Sequence, residues 1–459
     1  MTLRLRKLLL RLQRYLAHFS AMQIIVLVFL VIILVGSGLL SLPVSARSGE
    51  ATPFLTALFT ATSCTCVTGL ALVDTFSHWS GFGQAVILLL IQIGGLGFMS
   101  IAALFFFALH HKIGLKERML MAQSLGMESL SGIVKMVRRI LARTFLLEGA
   151  GAVILTVRFC FRMPFGRALW CGVFHSISAF CNAGFDIMGA VEAGGSLVEY
   201  VADPVVNLTL MALIVLGGLG FFVWDDMLRH RRFRDLTVHT RLVLVISGTL
   251  LLGGAVVFAL LEWNNPATLG GMSVGEKLLA ALFQSVTTRT AGFYTIPQGA
   301  LTGASKAVTD FLMFIGGSSG STAGGVKTVT MGVLLLSVIA TARGRSRVTV
   351  FRRTISAQQI SDAVSVVSMV FMAAFVSGIF LSVSNGLDFM DCLYETISAI
   401  ATVGLSTGIT PVLNLASQLV IIVLMFFGRV GVMTISLGFL VSSQVEERYR
   451  YADTKVLIG

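Results

Sequence analysis

Apolar positions along this chain run in unbroken blocks and do not alternate with polar ones. Clear blocks cover Met22–Leu42, Gln84–Leu109, Val205–Val223, Leu242–Leu261, Val364–Val383 and Leu419–Val441. Each approaches or exceeds the roughly 20 residues a helix needs to cross about 30 Å of hydrocarbon. Two further blocks are less clean: Leu141–Phe161 is interrupted by Glu148, and Ser305–Thr341 by glycines. Between the blocks lie four short, semi-polar stretches, Phe54–Thr65, Ala168–Phe180, Leu278–Thr288 and Phe389–Ile400. A dozen helical residues reach only about 18 Å, so each stretch is predicted to enter the membrane and turn back.

Each short stretch ends in a similar segment: Cys66-Val67-Thr68-Gly69-Leu70, Cys181-Asn182-Ala183-Gly184-Phe185, Arg289-Thr290-Ala291-Gly292-Phe293 and Ala401-Thr402-Val403-Gly404-Leu405. Their glycines are separated by 115, 108 and 112 residues, a period that reads as an internal repeat. The predicted fold is an all-α membrane protein with four tandem units of span, pore helix, filter loop and span around one pore. It has eight full membrane spans. The unit boundaries fall at 1–110, 111–230, 231–341 and 342–459. Two spans per unit give all four units one orientation, unlike the inverted repeats common in secondary transporters. Irregular backbone at membrane depth is tolerated where it is buried in protein or lines a watery cavity, which four converging loops would provide.

Composition agrees with a bilayer as solvent. Of 459 residues 56% are hydrophobic and 12% charged, against about a quarter charged in soluble domains. The net charge of +12 would invite a nucleic-acid reading, but its distribution argues otherwise. Of 34 Lys and Arg, 25 lie in five patches, Arg4–Arg14, Lys112–Arg143, Arg229–Arg241, Arg343–Arg353 and Arg448–Lys455. After the first, they recur following every second apolar block, as cytoplasmic loops do under the positive-inside rule. Asp186, Glu192, Glu199, Asp203, Asp388 and Asp391 fall on the opposite side, together with Arg158, Arg162 and Arg167. No nucleic-acid partner is needed, and both termini are expected in the cytoplasm. The start of the chain reads as a first span with a basic flank and not as a removable leader. Cys64, Cys66, Cys160, Cys171, Cys181 and Cys392 show no zinc-ligand spacing.

A dehydrated cation needs rings of oxygens in place of its water shell, and potassium channels supply backbone carbonyls from four Thr-Val-Gly-Tyr-Gly loops. Aiming successive carbonyls inward takes backbone angles that glycine reaches without steric penalty. The candidate filter is therefore Val67, Thr68 and Gly69; Asn182, Ala183 and Gly184; Thr290, Ala291 and Gly292; and Thr402, Val403 and Gly404. Thr402-Val403-Gly404 is the nearest copy of the channel sequence.

These residues, with Thr60-Ala61-Thr62-Ser63, Gln92-Ile93-Gly94-Gly95-Leu96-Gly97-Phe98, Thr287-Thr288 and Ser406-Thr407-Gly408, carry a resemblance to the TrkH/KtrB/HKT superfamily of potassium-translocating subunits. The resemblance covers essentially the whole chain and looks closest to the KtrB members. It implies a homodimer in the bacterial cytoplasmic membrane with one pore per subunit. It also implies a cytosolic nucleotide-binding ring of the KtrA type as regulatory partner. K+ is the expected cargo, Na+ a candidate activator, and no organic cofactor is expected. Gly69 stands where sodium-favouring plant relatives carry Ser, which favours potassium. Cys181 stands where KtrB proteins often carry Asn.

Further features lie inside the membrane. The run Gly316-Gly317-Ser318-Ser319-Gly320-Ser321-Thr322-Ala323-Gly324-Gly325 would unravel a helix. A phosphate cradle is the enzymatic reading, but no strand precedes the run and the Gly-Lys-[Ser/Thr] signature is absent. The resemblance implies an intramembrane gating loop here, with Arg429 as a positive barrier beneath the filter. Arg289 is expected to point behind the filter and brace the loop, with Glu395 a candidate partner. His175 reads as an anchor for its pore helix, not as a metal ligand. No paired carboxylates, nucleophile–base set or metal cluster argues for an enzyme. The rival function is a sodium-coupled potassium symporter.

Overall fold

A computed structural model describes residues 21–97, 132–189, 196–345 and 347–431. The same order of elements recurs through them. Long helices Ala21–Leu40, Ile133–Phe159, Val238–Glu262 and Ala357–Asn385 are each followed by a short one, Phe54–Thr65, Phe165–Phe180, Val274–Thr287 and Phe389–Ile400. After each loop comes a third helix: Gly81–Leu96, Pro204–Leu219, Gly303–Phe314 and Leu415–Val430.

The short helices begin where the sequence stops the chain. Pro53 and Pro164 stand at two N-caps, Asp388 accepts from the Met390 amide at a third, and Ser273 forms a capping box with Glu276 at the fourth. Each occupies one of the orphan amides of a helix start or tolerates its absence.

Each long helix packs along the short helix that follows it. The third helix of each unit packs against the next unit's short helix, and in three units against its own as well. Gly81–Leu96 meets Phe165–Phe180, Pro204–Leu219 meets Val274–Thr287, and Gly303–Phe314 meets Phe389–Ile400. Leu415–Val430 closes the circle on Phe54–Thr65. The chain therefore winds once round a centre in sequence order. Its outer surface is apolar: Leu30, Val31, Leu34 and Val35 on the first long helix, and Leu252, Val256 and Leu260 on the third, are exposed. Within the most apolar stretch of each long helix only 22–39% of residues are buried inside protein, which leaves the remainder for lipid tails.

Four described helices are long and apolar enough to cross a bilayer. A fifth candidate is the pair Pro204–Leu219 and Phe221–Arg229, bent by 93°. The eight predicted crossings are not all met as straight helices, and the reason is local. Gly97, Gly220 and Gly431 end three of the third helices with φ of 77, 97 and 94° and ψ of 138, 141 and 127°, a region open essentially to glycine alone. The block Gln84–Leu109 is described as far as Gly97, and Leu419–Val441 as far as Gly431; their remainders lie outside the described residues, as do the basic termini. The block Ser305–Thr341 is interrupted, Gly303–Phe314 and Thr328–Ala342 being separate helices. One departure from an all-α chain is a hairpin pairing Thr349–Val350 with Arg353–Thr354, turned by Phe351 and Arg352 at φ of 47 and 65°.

Candidate ion-coordination site

The four glycine-bearing segments come together at the centre of the circle. Two residues before each glycine the backbone is left-handed: Val67 at φ 58°, Asn182 at 58°, Thr290 at 65° and Thr402 at 52°. Asn tolerates this region, but a β-branched residue there is a genuine outlier. Each such position stores about 1–3 kcal/mol and persists only where its surroundings over-determine it. The glycines follow at φ of 100, 70, 79 and 91° for Gly69, Gly184, Gly292 and Gly404.

Those glycines have no room for a side chain, and the obstruction is the same each time. A β-carbon on Gly69 would fall 2.6 Å from the Ala183 carbonyl oxygen, and one on Gly184 2.8 Å from that of Ala291. On Gly292 it would fall 2.6 Å from the Val403 oxygen, and on Gly404 2.1 Å from that of Thr68. Every glycine lies against the carbonyl just before the next unit's glycine. The ring closes from the last unit to the first. Four backbone carbonyls are thereby gathered around one centre, the arrangement that can replace the water shell of a cation.

Hydroxyl groups brace the ring from behind. The Gly69 and Gly404 amides donate to Ser63 Oγ and Ser398 Oγ, each at 3.1 Å. Ser178 Oγ donates to the Phe185 carbonyl at 2.7 Å, and Thr287 Oγ1 to that of Phe293. The sequence signal for these braces was present, a Ser six residues before three of the glycines. The reading from sequence passed over it. Asn182 and Thr290 join adjacent loops, their side chains 3.2 Å apart. On the side following the glycines a vestibule of about 310 Å³ is lined by all four of them, with Asp74 and Asp186 on its wall.

On the other side lies the glycine-rich run. Gly316 donates to the Val326 carbonyl at 2.9 Å, which pinches the run into a loop. Ser318 and Thr322 donate from their amides to Gly218 and Gly217 carbonyls at 3.0 and 3.2 Å, and Gly320 accepts from the Phe221 amide at 2.8 Å. Thr322 Oγ1 reaches the Phe180 carbonyl at the end of the second short helix. A β-carbon on Gly324 would fall 2.0 Å from Thr402 Oγ1, so the loop lies directly against the fourth glycine-bearing segment.

Arg429 is half-buried and holds this loop to the opposite wall. Its guanidinium donates to the Thr322 carbonyl on one side and to the Gly94 and Gly95 carbonyls on the other. The latter two lie in the last turn of the helix Gly81–Leu96, where a cation is favoured. Gly94, Gly217 and Gly428 prove equivalent: a β-carbon on each would fall 2.0–2.1 Å from the carbonyl of Thr65, Phe180 or Ile400, at the ends of short helices. The next position is Gly95, Gly218 and Arg429. Arginine therefore occupies, on one wall, a place that is glycine on two others.

Arg289 does point behind the ring, but Glu395 is not its partner. The Arg289 guanidinium donates to the Gly316 carbonyl at 3.0 Å and to Thr328 Oγ1 at 3.1 Å. Glu395 accepts from Thr410 Oγ1 in its own unit. Nothing in the sequence separates these outcomes, because Arg289 is received by a backbone carbonyl and a neutral hydroxyl and not by an opposite charge. His175, fully buried, donates from Nδ1 to the Cys171 carbonyl at 2.7 Å within its own helix. Among the described residues no group of three or more His, Cys, Asp or Glu side chains is placed to hold a metal ion.

A ring of four inward loops inside a helical bundle with an apolar exterior defines a class of membrane transport proteins, and comparison with known proteins names the family. The TrkH family model, described as "Cation transport protein", matches residues 43–449; the chain belongs to this family. It is 40% identical over 447 residues to the potassium/sodium uptake protein NtpJ of Enterococcus hirae, covering 96% of this chain and 97% of the relative. It is also 40% identical over 444 residues to the Ktr system potassium uptake protein B of Bacillus subtilis, with coverage of 96% and 97%. The crystal structure of the potassium transporter TrkH from Vibrio parahaemolyticus shares the fold. Its TM-score is 0.71 at 20% identity, over 93% of this chain and 86% of that one.

Proposed function

We propose that the chain is the membrane subunit of a potassium uptake system of the Ktr type, conducting K+ through the ring of four loops. One observation carries this reading: each glycine's missing side chain faces the carbonyl of the next loop, so that the carbonyls of Thr68, Ala183, Ala291 and Val403 are forced to a common centre. The filter consists of residues 67–69, 182–184, 290–292 and 402–404. The loop Gly316–Gly325 with Arg429 obstructs the path beneath it. Four units, divided at 110, 230 and 341, contribute eight crossings, counting broken helices as one each. The protein resides in the cell membrane with both termini in the cytoplasm, as the basic loops suggest. A cytosolic regulatory ring of the KtrA type moves the loop, and the subunit works as a homodimer, each protomer with its own pore. The names of the Ktr-system relatives support the regulatory partner.

The name of the Enterococcus relative includes sodium, so the test has two arms. Purified protein in liposomes should pass K+ down its gradient without any sodium gradient. Uptake that requires inward sodium, and reverses with it, would establish the symporter instead. Sodium that stimulates K+ flux without crossing in fixed proportion would be an activator. Addition of the cognate cytosolic partner with its nucleotide should change the rate and not the ion preference.

A further inference from the structure

Behind the second loop sits an acid that the conduction pathway described so far does not use. Glu148 interrupts an otherwise apolar stretch of the long helix Ile133–Phe159 and is only 4% exposed. An ionisable side chain at membrane depth is costly and ordinarily marks function, with a specific partner. Its partners here are donors from two other elements. Gln92 Nε2, on Gly81–Leu96, reaches both carboxylate oxygens at 3.1 and 3.2 Å. The Cys181 thiol lies 3.8 Å from Oε1 and 4.0 Å from the Gln92 side-chain oxygen. Among the described residues Glu148 makes no ion pair, and Arg429 spends its guanidinium on backbone carbonyls.

Cys181 is not a neutral place to attach such an acid. It caps the second short helix and immediately precedes Asn182 at φ 58° and Ala183, whose carbonyl lies against Gly69. The space around the thiol is made by glycine, since a β-carbon on Gly95 would fall 2.5 Å from its sulfur. The equivalent positions in the other units are Cys66, Arg289 and Ala401, and none of them bonds to a carboxylate among the described residues. Ser176 Oγ fixes the backbone of the acid itself, donating to the Glu148 carbonyl at 2.6 Å.

We propose that Glu148, clamped by Gln92 and bonded by the Cys181 thiol, is a positioning residue that sets the second filter loop and helps to select the ion. The carboxyl group acts as an acceptor: it holds Cys181, and through it the left-handed turn that aims the Ala183 carbonyl. This rests on the filter reading above.

The test is flux in liposomes, measured for K+, Na+ and Rb+ per inserted protein. Glu148→Gln keeps the shape and an acceptor oxygen and Glu148→Ala removes both; Cys181→Ser keeps a donor and Cys181→Ala removes it. Cys181→Ala and Glu148→Ala should each lower the K+/Na+ permeability ratio about fivefold, the scale of one hydrogen bond. Cys181→Ser and Glu148→Gln should restore most of it. The double variant Glu148→Ala with Cys181→Ala should be no worse than the poorer single one, because the two share one interaction. Where Glu148→Ala does not insert, Cys181→Ala and Cys181→Ser carry the test alone. Wild-type ratios in Cys181→Ala and in any Glu148→Ala that inserts, with discrimination lost in Gly404→Ser, would overturn the proposal and leave the filter standing. Unchanged discrimination in Gly404→Ser as well would remove the filter reading beneath it.

Discussion

The ring and the layer directly beneath it obey opposite rules. In the ring four loops do the same thing with nearly the same residues: left-handed backbone, one further residue, then a glycine against its neighbour's carbonyl. One turn below, the four walls differ. Two end in the pair Gly94-Gly95 or Gly217-Gly218, one in Gly428-Arg429, and the remaining wall gives way to the loop after Phe314. Coordinating a near-spherical ion asks for symmetry, since its oxygens must close in from all sides at once. Obstruction asks only for one intruding group and something to hold it. The lower layer supplies one loop and one arginine.

Substitution in the ring should have the largest effect. Gly404→Ser adds about 1–3 kcal/mol of backbone strain and places a β-carbon 2.1 Å from the Thr68 oxygen. Its K+/Na+ permeability ratio should fall towards unity. Gly69→Ser, with 2.6 Å to the Ala183 oxygen at the equivalent contact, should fall less far. Equal, wild-type ratios in both would break the comparison at its upper member.

Below the ring the effects should be on rate and not on choice of ion. Deleting Gly316–Gly325 is expected to raise flux in the absence of the cytosolic partner by more than any single substitution in the layer, with the permeability ratio kept. Lost flux in inserted protein would make the loop part of the conducting path. Arg429→Ala should raise partner-free flux by roughly tenfold or more, since each hydrogen bond from a charged group contributes about 1.5–3 kcal/mol. Arg429→Lys should fall between. It retains the charge but not the planar fork that spans the Thr322 and Gly94 carbonyls. Matched flux in all three proteins, normalised to the amount inserted, would dismiss Arg429 as a barrier.

The smallest effect belongs to the braces. Ser398→Ala removes the hydroxyl that accepts from the Gly404 amide and should destabilise the protein by about 1 kcal/mol. A thermal unfolding scan in detergent should record it, and selectivity should move by no more than a few-fold. A collapse of selectivity as deep as that of Gly404→Ser would show that the ring is held by its braces more than by its neighbours.

The short helices could be read from sequence because their limits are chemical. Phe54–Thr65 and Phe389–Ile400 were predicted at the boundaries observed, the first bounded by Pro53 and the second by Asp388. Val274–Thr287 begins four residues earlier than expected, at its capping box. The left-handed turns at Val67, Thr290 and Thr402 were not readable, because local propensity argues against them. β-branched residues disfavour positive φ, and only the surrounding ring imposes it. Nor could the sequence give the direction of the ring, the 93° bend at Gly220 or the true partners of Arg289. Each depends on a backbone group brought in from outside the local segment, and backbone groups carry no residue-specific signal. The glycines Gly94 and Gly217 were visible as letters, but the carbonyl each must clear was not.

Because the ring is made by one chain and not by four copies, each wall can be altered alone. In a homotetramer any substitution near the axis appears four times, so an arginine there would put four charges round the path, and one loop would become four. Here a single codon changes a quarter of the circumference. That freedom lets Arg429 face two walls of glycine, and it lets the acid behind Ala183 have no counterpart behind Val403. It also means that the circle has a seam. Gly404 must meet Thr68 across 336 residues of chain, so the ring cannot close during synthesis until the fourth loop has emerged. The first three loops must wait for it before the ring can impose the left-handed turns at Val67 and Thr290.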